Sequence, residues 1–544
     1  MACDLLVIGS GPCGAQAAKE AVEAGLGVVV LDVGFDDERL EASVPYAPFS
    51  DLRRTDAGQR RYFLGSEGDT ERTVNDRIGA HFTPPRSYIK REVERWIPVR
   101  SDTFFPELSL ALGGLGAGWG SGTAIFEPFE LRRAGLPADA MGSFYDAVAE
   151  DVGISGAIED DTAALTLPSA HVQRAAELDT NCDSIFRAYA RRRASLNARG
   201  FLAGRVSMAM ITEERERLRA LGRGPNPYFD MDFYTNFDRS IYRPKFTIEE
   251  LASRPNFTYV RNALAETFEQ TPDGVVVKYR NVADGTCATI VARKLLLAAN
   301  PLNTARIALR SRGIFGAKQP LLCNPYHYVP AINLRMLGRE AADRRHSMGQ
   351  IVALYKPRHR GGESVLGAFC SYRSLLHFRL VREMPLPVSL GLLVSRVLQN
   401  SLTVVGIHHP EHRSERKWVS LAEGGGAPVL EAGYELSDAE RSDVREDMRG
   451  MLRCLRELGC IPFSVLQTPP GSSIHYAGTI PFATAAADAP LACEPDGRLI
   501  GSPDVYVADS SSWRYLPAKG PTFTIMANGR RVARNAARAL AAGR

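Results

Sequence analysis

The chain lacks a strong charge of either sign: 66 lysines and arginines stand against 62 acids over 544 residues, a formal net charge of +4. That balance is no footprint for nucleic acid, and the clusters Arg191-Arg192-Arg193 and 213–223 read as solvated helix faces. Its nine cysteines form no C-x-x-C pair and no zinc-like spacing, so reduced thiols and no metal are expected. His408-His409 with His412 does not fill that gap, because adjacent strand residues point to opposite faces. Long hydrophobic runs are missing too. The most apolar stretch, 386–398, is interrupted by Pro387, Ser389 and Arg396; it reads as a buried strand or helix, with no stable membrane insertion. There is no G-x-S-x-G elbow for hydrolase chemistry, no internal repeat, and no low-complexity segment beyond Gly424 to Gly426. The first strand is expected almost at once, which leaves no room for a secretory leader and points to a cytoplasmic protein.

What is present is a nucleotide-binding turn. Residues 4–8 form a short apolar run suited to a buried parallel strand, followed by Gly9-Ser10-Gly11-Pro12-Cys13-Gly14. Glycines let the backbone turn sharply and approach a pyrophosphate, and Gly14 lets the next helix, 15–24, pack close to the strand. The amino end of that helix favours an anion. A second apolar run, 27–31, ends in Asp32, about 20 residues on, where a carboxylate suits ribose hydroxyls and disfavours a 2′-phosphate. A content of 45% hydrophobic residues can fill more than one core in a chain this long.

Farther along, 112–122 is glycine-dense around Trp119, the signature of a backbone that must approach something closely; Gly114, Gly120 and Ser121 are its candidate contacts. Residues 257–261, 274–279 and 288–297 read as a small sheet, and 437–458 as a helix. The aromatic and acidic residues Tyr228, Phe229, Asp230, Asp232, Phe233 and Tyr234 are candidates for a substrate entrance. Near the end, 505–508 is a strand running into Asp509 and Ser510, and Pro521-Thr522 opens a helix over 522–540 whose start again suits an anion.

These pieces, with Leu295 to Ala308 and His475-x-x-Gly478-Thr479, resemble the glucose-methanol-choline (GMC) family of FAD-dependent oxidoreductases. The resemblance is strongest at both ends and weak between Pro325 and Pro462. It implies an α/β fold: a discontinuous Rossmann-like FAD-binding domain (1–130, 240–320 and 465–544) beside an α+β substrate domain (131–239 and 321–464) built on a mixed or antiparallel sheet. It implies FAD held by Gly9, Gly11, Pro12, Cys13, Gly14, Asp32, the glycine loop, Leu264 and Ala265 along the adenine, and Asp509, Ser510, Pro521 and Thr522. It also implies that His475 removes the proton of a small hydroxylated substrate, sugar-like or a natural product, while hydride passes to flavin N5. An alkoxide expels hydride far more readily than an alcohol, and histidine titrates near neutrality. Oxygen or a quinone-type carrier would be the electron acceptor.

One position departs from that pattern. The family places a second histidine or an asparagine just before the proline-threonine pair, and here Gly520 stands there. Three readings are open: Lys519 reaches into the site; Tyr476, Tyr515, a residue of the substrate domain or a water substitutes; or the reaction is a non-redox one, such as a lyase or cyclase step, with flavin kept for that or for structure.

Overall fold

The computed structural model describes residues 2–65, 84–231, 234–342, 344–372, 381, 384–423, 428–483 and 489–543. Asp232, Phe233 and Gly424 to Gly426 lie outside them.

Strand Ala2–Ile8 is the hub, with Leu5, Leu6 and Val7 fully buried. Apolar side chains on both faces suit a central parallel strand. It pairs in parallel with Val28–Leu31 on one side and Cys287–Leu297 on the other; these pair in turn with Phe257–Val260 and Ser502–Val507. The expected small sheet is not separate. Cys287–Leu297 is long enough to pair Ala2–Ile8 along its second half and Gly274–Asn281, antiparallel, along its first, and Ala263–Thr271 adds a further strand to that hairpin.

Gly14 is where the turn is most constrained: a Cβ there would stand 1.9 Å from the Gly9 carbonyl oxygen, and Gly9 itself has φ +97°. Helix Pro12–Glu23 thereby comes down onto the strand, and the carboxyl-terminal helix Thr522–Ala541 packs beside it through Gly529, whose Cβ would meet the Cys13 carbonyl at 2.7 Å. The two helices run in the same direction, tied by Arg530 to Gln16 (2.7 Å) and Glu20 (3.1 Å). Helix Met141–Val152, expected with the substrate domain, packs on this pair instead, with Tyr145 stacked on Phe523 at 5.2 Å.

The second large sheet is antiparallel through its centre, in the order Cys460–Pro462, Tyr326–Asn333, Leu402–His408, Val365–Ser371, Ile351–Tyr355 and Phe201–Arg205. Its alternate residues Val329, Ala331, Ile351, Ala353, Phe369, Val405 and Ile407 pack on helices Thr180–Asn197 and Asp438–Glu457. Ser437 caps the latter in a capping box with Glu440. The stretch expected to be buried is a surface helix, Val388–Leu398, in which Val388, Leu390, Leu392, Leu393 and Val397 are exposed and Gly391 and Ser395 face inward. Its small residues make the contact and its large ones do not, the reverse of what hydrophobicity alone implies. No described helix is long and apolar enough to cross a membrane.

Gly14→Ala should cost about 1–3 kcal/mol of stability or more through overpacking, seen as a lower urea midpoint at unchanged m-value.

Candidate functional site

Between the two sheets lies a cavity of about 870 Å³, lined by the Gly9–Cys13 turn, Asp32, Leu264, Ala265, Gly114, Gly120, His475, Asp509, Ser510, Gly520, Pro521 and Thr522. Three helices begin at its wall, at Pro12, Pro301 and Thr522, and each has a proline at or just before its first residue. Proline has no N–H to leave unpaired there, while the N–H groups that follow point along the helix axis toward an anion. The glycine-dense loop earns its composition locally: Gly113 and Gly114 have positive φ, and a Cβ on Gly116 would strike Pro12 and Pro244 within 2.9 Å. Gly113 N–H also donates to Ser10 Oγ (2.9 Å), which pins the loop to the nucleotide turn. Beyond it, Gly120 borders open space.

Asp32 ends its strand at the cavity wall. Its Oδ2 accepts hydrogen bonds from Ser10 Oγ and from Tyr259 Oη (3.1 Å), and removal from bulk water raises its pKa to about 6. Asp509 is held by Thr304 Oγ1 (2.6 Å) and the Ser511 N–H (3.0 Å), with its pKa raised by burial. On the same wall, Asn303 Oδ1 and Arg306 Nε are buried without a protein partner. Unpaired buried polar atoms, three helix amino ends and a glycine-lined floor fit a dinucleotide such as FAD.

Three expected site residues do not reach this cavity. Gly14 lies beneath the turn, where it allows the close approach of helix to strand. Ser121, at φ +55°, is buried with its Oγ unpartnered and its carbonyl accepting from Ala209 N–H (2.8 Å). Lys519 is fully buried and turned away, its Nζ between Glu127 Oε2 (3.1 Å) and Glu130 Oε2 (3.0 Å). A buried ammonium is drawn to carboxylates rather than to an empty cavity, so Lys519 anchors the loop and supplies no contact to a substrate. The expected aromatic entrance is also corrected. Tyr228, Phe229, Asp230 and Tyr234 do not line the cavity; Asp230 pairs with Arg345 at 2.7 Å, and Phe229 and Tyr234 pack with Tyr46, Phe49 and Phe63.

His475 is placed by strand register. Tyr476–Ala477 pairs antiparallel with Leu322–Cys323, so the next step brings Asn324 opposite His475. Gly478 turns the chain at φ +84°, and Thr479 Oγ1 ties it to the Pro301 carbonyl (2.8 Å). Asn324 Nδ2 donates to the carbonyls of His409 (2.7 Å) and Pro517 (3.0 Å), so its Oδ1 is the end presented to His475 Nδ1 at 3.1 Å. A carbonyl-type oxygen can only accept, which puts the ring proton on Nδ1 and leaves Nε2 with a free lone pair. Loss of bulk water lowers the His475 pKa to about 4. A Cβ on Gly520 would lie 4.0 Å from that Nε2, so a side chain there would enter the same space.

His408 was not foreseen as a site residue. It lines the cavity with its ring stacked between His475 (4.7 Å) and Tyr326 (4.1 Å). Its Nδ1 is sealed from solvent without a partner, and burial drives its pKa well below the ordinary value. A buried N–H without an acceptor is rarer than a buried acceptor without a donor, which favours the proton on Nε2, at the opposite edge of the ring. His409 points the other way, to Asp447 (2.8 Å), as strand alternation requires. The signal for His408 was in the sequence, as a strand-terminal histidine pair whose two faces differ; Asn324 carried none.

Residues 410–529 match the GMC oxidoreductase family model. Over that stretch the chain is similar to GMC oxidoreductases. A C-glycoside 3-oxidase of Microbacterium trichothecenolyticum is 30% identical over 122 residues, which is 22% of this chain and 23% of that one, so the matched stretch spans under a quarter of this relative. The fold is similar to that of solved structures at 12% identity with 98% of both chains covered: a variant of the formate oxidase of Aspergillus oryzae RIB40, studied for FAD modification (TM-score 0.58), and the pyridoxine 4-oxidase of Mesorbium loti (TM-score 0.57).

Lys519→Met should cost about 3–5 kcal/mol of unfolding free energy, because it strands buried carboxylates, against under about 1 kcal/mol for removing an exposed cation such as Arg191. Urea titration checks both.

Proposed function

We propose that this chain is an FAD-dependent oxidoreductase that oxidises a hydroxyl group of a small molecule, with His475 as the base. The observation that carries the reading is the Asn324 to His475 hydrogen bond, which leaves Nε2 unprotonated at the wall of the cavity that fits the cofactor. Gly9, Gly11 and the helix starting at Pro12 would hold the pyrophosphate, Asp32 a ribose, the Leu264-Ala265 backbone the adenine, and the helix starting at Thr522 the far end of the cofactor. FAD, when bound, would supply the acceptor for the carbinol hydrogen and its electron pair, with dioxygen or a quinone-type carrier to reoxidise it.

The chain's own part is proton handling. His475 Nε2 accepts the hydroxyl proton as the carbon–oxygen bond becomes a carbonyl, and Asn324 fixes the ring so that this nitrogen faces the substrate. The contact missing at Gly520 falls to His408: its Nε2–H donates to the same oxygen, so one ring offers an acceptor and its stacked neighbour a donor. That pair matches a hydroxyl group, which both donates and accepts. It also removes the reason for a non-redox reading, which rested on Gly520. The C-glycoside 3-oxidase relative keeps glycosidic and natural-product hydroxyls among the substrates to be tried.

The test is the anaerobic visible spectrum of the FAD-loaded protein with pools of sugars, aminosugars and simple alcohols. One pool should bleach the flavin, and His475→Ala should slow that by roughly 10²–10⁴-fold. A protein that cannot be loaded with FAD, or whose bleaching survives His475→Ala, overturns the reading. Because a pKa near 4 leaves His475 neutral at ordinary pH, the reduction rate should be flat above about pH 5.5. It should fall as pH drops through about 4 and Nε2 takes up a proton. His408→Phe, which keeps the stack but removes the donor, should slow reduction roughly 100-fold, and adding Gly520→Asn should restore part of it.

A further inference from the structure

We infer that the substrate is an uncharged alcohol whose hydroxyl is attached to an apolar, ring-sized body, and not a free sugar; this rests on reading the site as alcohol-oxidising. The face of the antiparallel sheet turned to the cavity decides it. Along successive strands it presents Val206, Tyr326, Tyr328, Val352, Leu366 and Ala368 to the open space. Behind them, Leu354 and Ala518 join Val352 and Leu366 in one buried apolar cluster.

Among the described residues, no aspartate, glutamate, lysine or arginine of this sheet lines the cavity; those that do, Asp32, Arg95, Glu266, Arg280, Arg306, Arg310 and Asp509, all stand outside it. Lys519, next to Gly520 in the chain, is paired with Glu127 and Glu130, and none of the three lines the cavity. Of the hydroxyls that line the cavity, those of Thr123 and Ser207 bond each other (2.5 Å) and that of Ser473 bonds Cys323 Sγ (3.2 Å), so along the sheet a free sugar would bring its own hydroxyls against valine, leucine and alanine. Each one left without a partner weakens binding by roughly tenfold or more.

An aromatic or alicyclic body meets the opposite situation. Tyr328 stands edge-on to Tyr326 (4.7 Å, 65°), Tyr326 is stacked on His408, and His408 is stacked on His475. The result is a run of rings that ends at the base. A flat apolar group laid along it gains ring contacts and brings its carbinol to His475 Nε2.

The experiment compares benzyl alcohol, 4-methoxybenzyl alcohol and cyclohexanol with D-glucose and D-xylose, at equal concentration, as anaerobic reductants of the FAD-loaded protein. The apolar alcohols should reduce it at least 100-fold faster than either sugar. Leu366→Asp should remove at least tenfold of that advantage, and the gentler Val352→Thr should move it in the same direction if Leu366→Asp does not fold. Faster reduction by glucose or xylose overturns the inference. If neither class reduces the flavin, the redox reading itself fails. Binding then decides the pocket: 4-methoxybenzaldehyde should perturb the flavin spectrum at a concentration at least tenfold below that of glucose, and equal or reversed potency overturns the inference.

Discussion

The site depends on one carboxamide. Asn324 donates through Nδ2 to the carbonyls of His409 and Pro517 and accepts through Oδ1 from His475, so three separate stretches of chain meet on a single side chain. The first is the continuation of the strand that carries His408, the second is the approach to Lys519 and Gly520, and the third is the His475 motif. Asn324 is 2% exposed, and no water competes for its hydrogen bonds. A buried amide satisfied at both ends has one orientation, and from that orientation follow the tautomer of His475 and the free state of its Nε2. The short pairing of Leu322–Cys323 with Tyr476–Ala477 exists to bring these two residues opposite each other.

On the cofactor side the same economy is achieved with missing atoms. Gly14, Gly116 and Gly529 each stand where a Cβ would lie within 3 Å of a neighbour, at the three contacts that join helix Pro12–Glu23 to its strand, to the glycine loop and to the carboxyl-terminal helix. Close packing at these points brings helix amino ends to one wall, where Arg306 adds a buried guanidinium. Several charges in the surrounding core are paired: Lys19 with Asp151 and Glu250, Arg530 with Glu20, Lys519 with Glu127 and Glu130.

Much of the cofactor half was legible because its constraints are local in sequence. A strand, three glycines, a helix after them and an acid at fixed distance are all read within the first 32 residues, although the helix starts at Pro12 and not at Ala15, and His475 announces itself through the glycine and threonine that turn the chain after it. The substrate half was illegible for the opposite reason. His408 and Asn324 meet their partner, His475, across 67 and 151 residues of chain; the adjacent His409 gives His408 only a weak mark, and nothing near Asn324 marks it. Lys519 misled because exposure cannot be read from a loop sequence; its acids come from helix Pro128–Ala134 and the residue before it. The 386–398 stretch misled because hydrophobicity does not say which face a helix buries.

On the proposed reading, in which His475 is the base, the two neutral imidazoles explain how a weak base would serve. A pKa near 4 keeps His475 free to accept a proton at any ordinary pH, but it also makes the protonated ring costly. Burial imposes both effects, and the structure counters only the second. When Nε2 takes up the proton, the ring becomes cationic and its Nδ1–H a stronger donor to Asn324 Oδ1, so that bond strengthens as the proton moves. His408, held neutral by the same burial, stacks on the charged ring without repelling it, whereas a second protonatable group at ordinary pH would. The low polarity that weakens the base therefore also keeps its neighbour compatible with the cation it becomes, and the amide that sets the tautomer is the group that stabilises the product of the proton transfer.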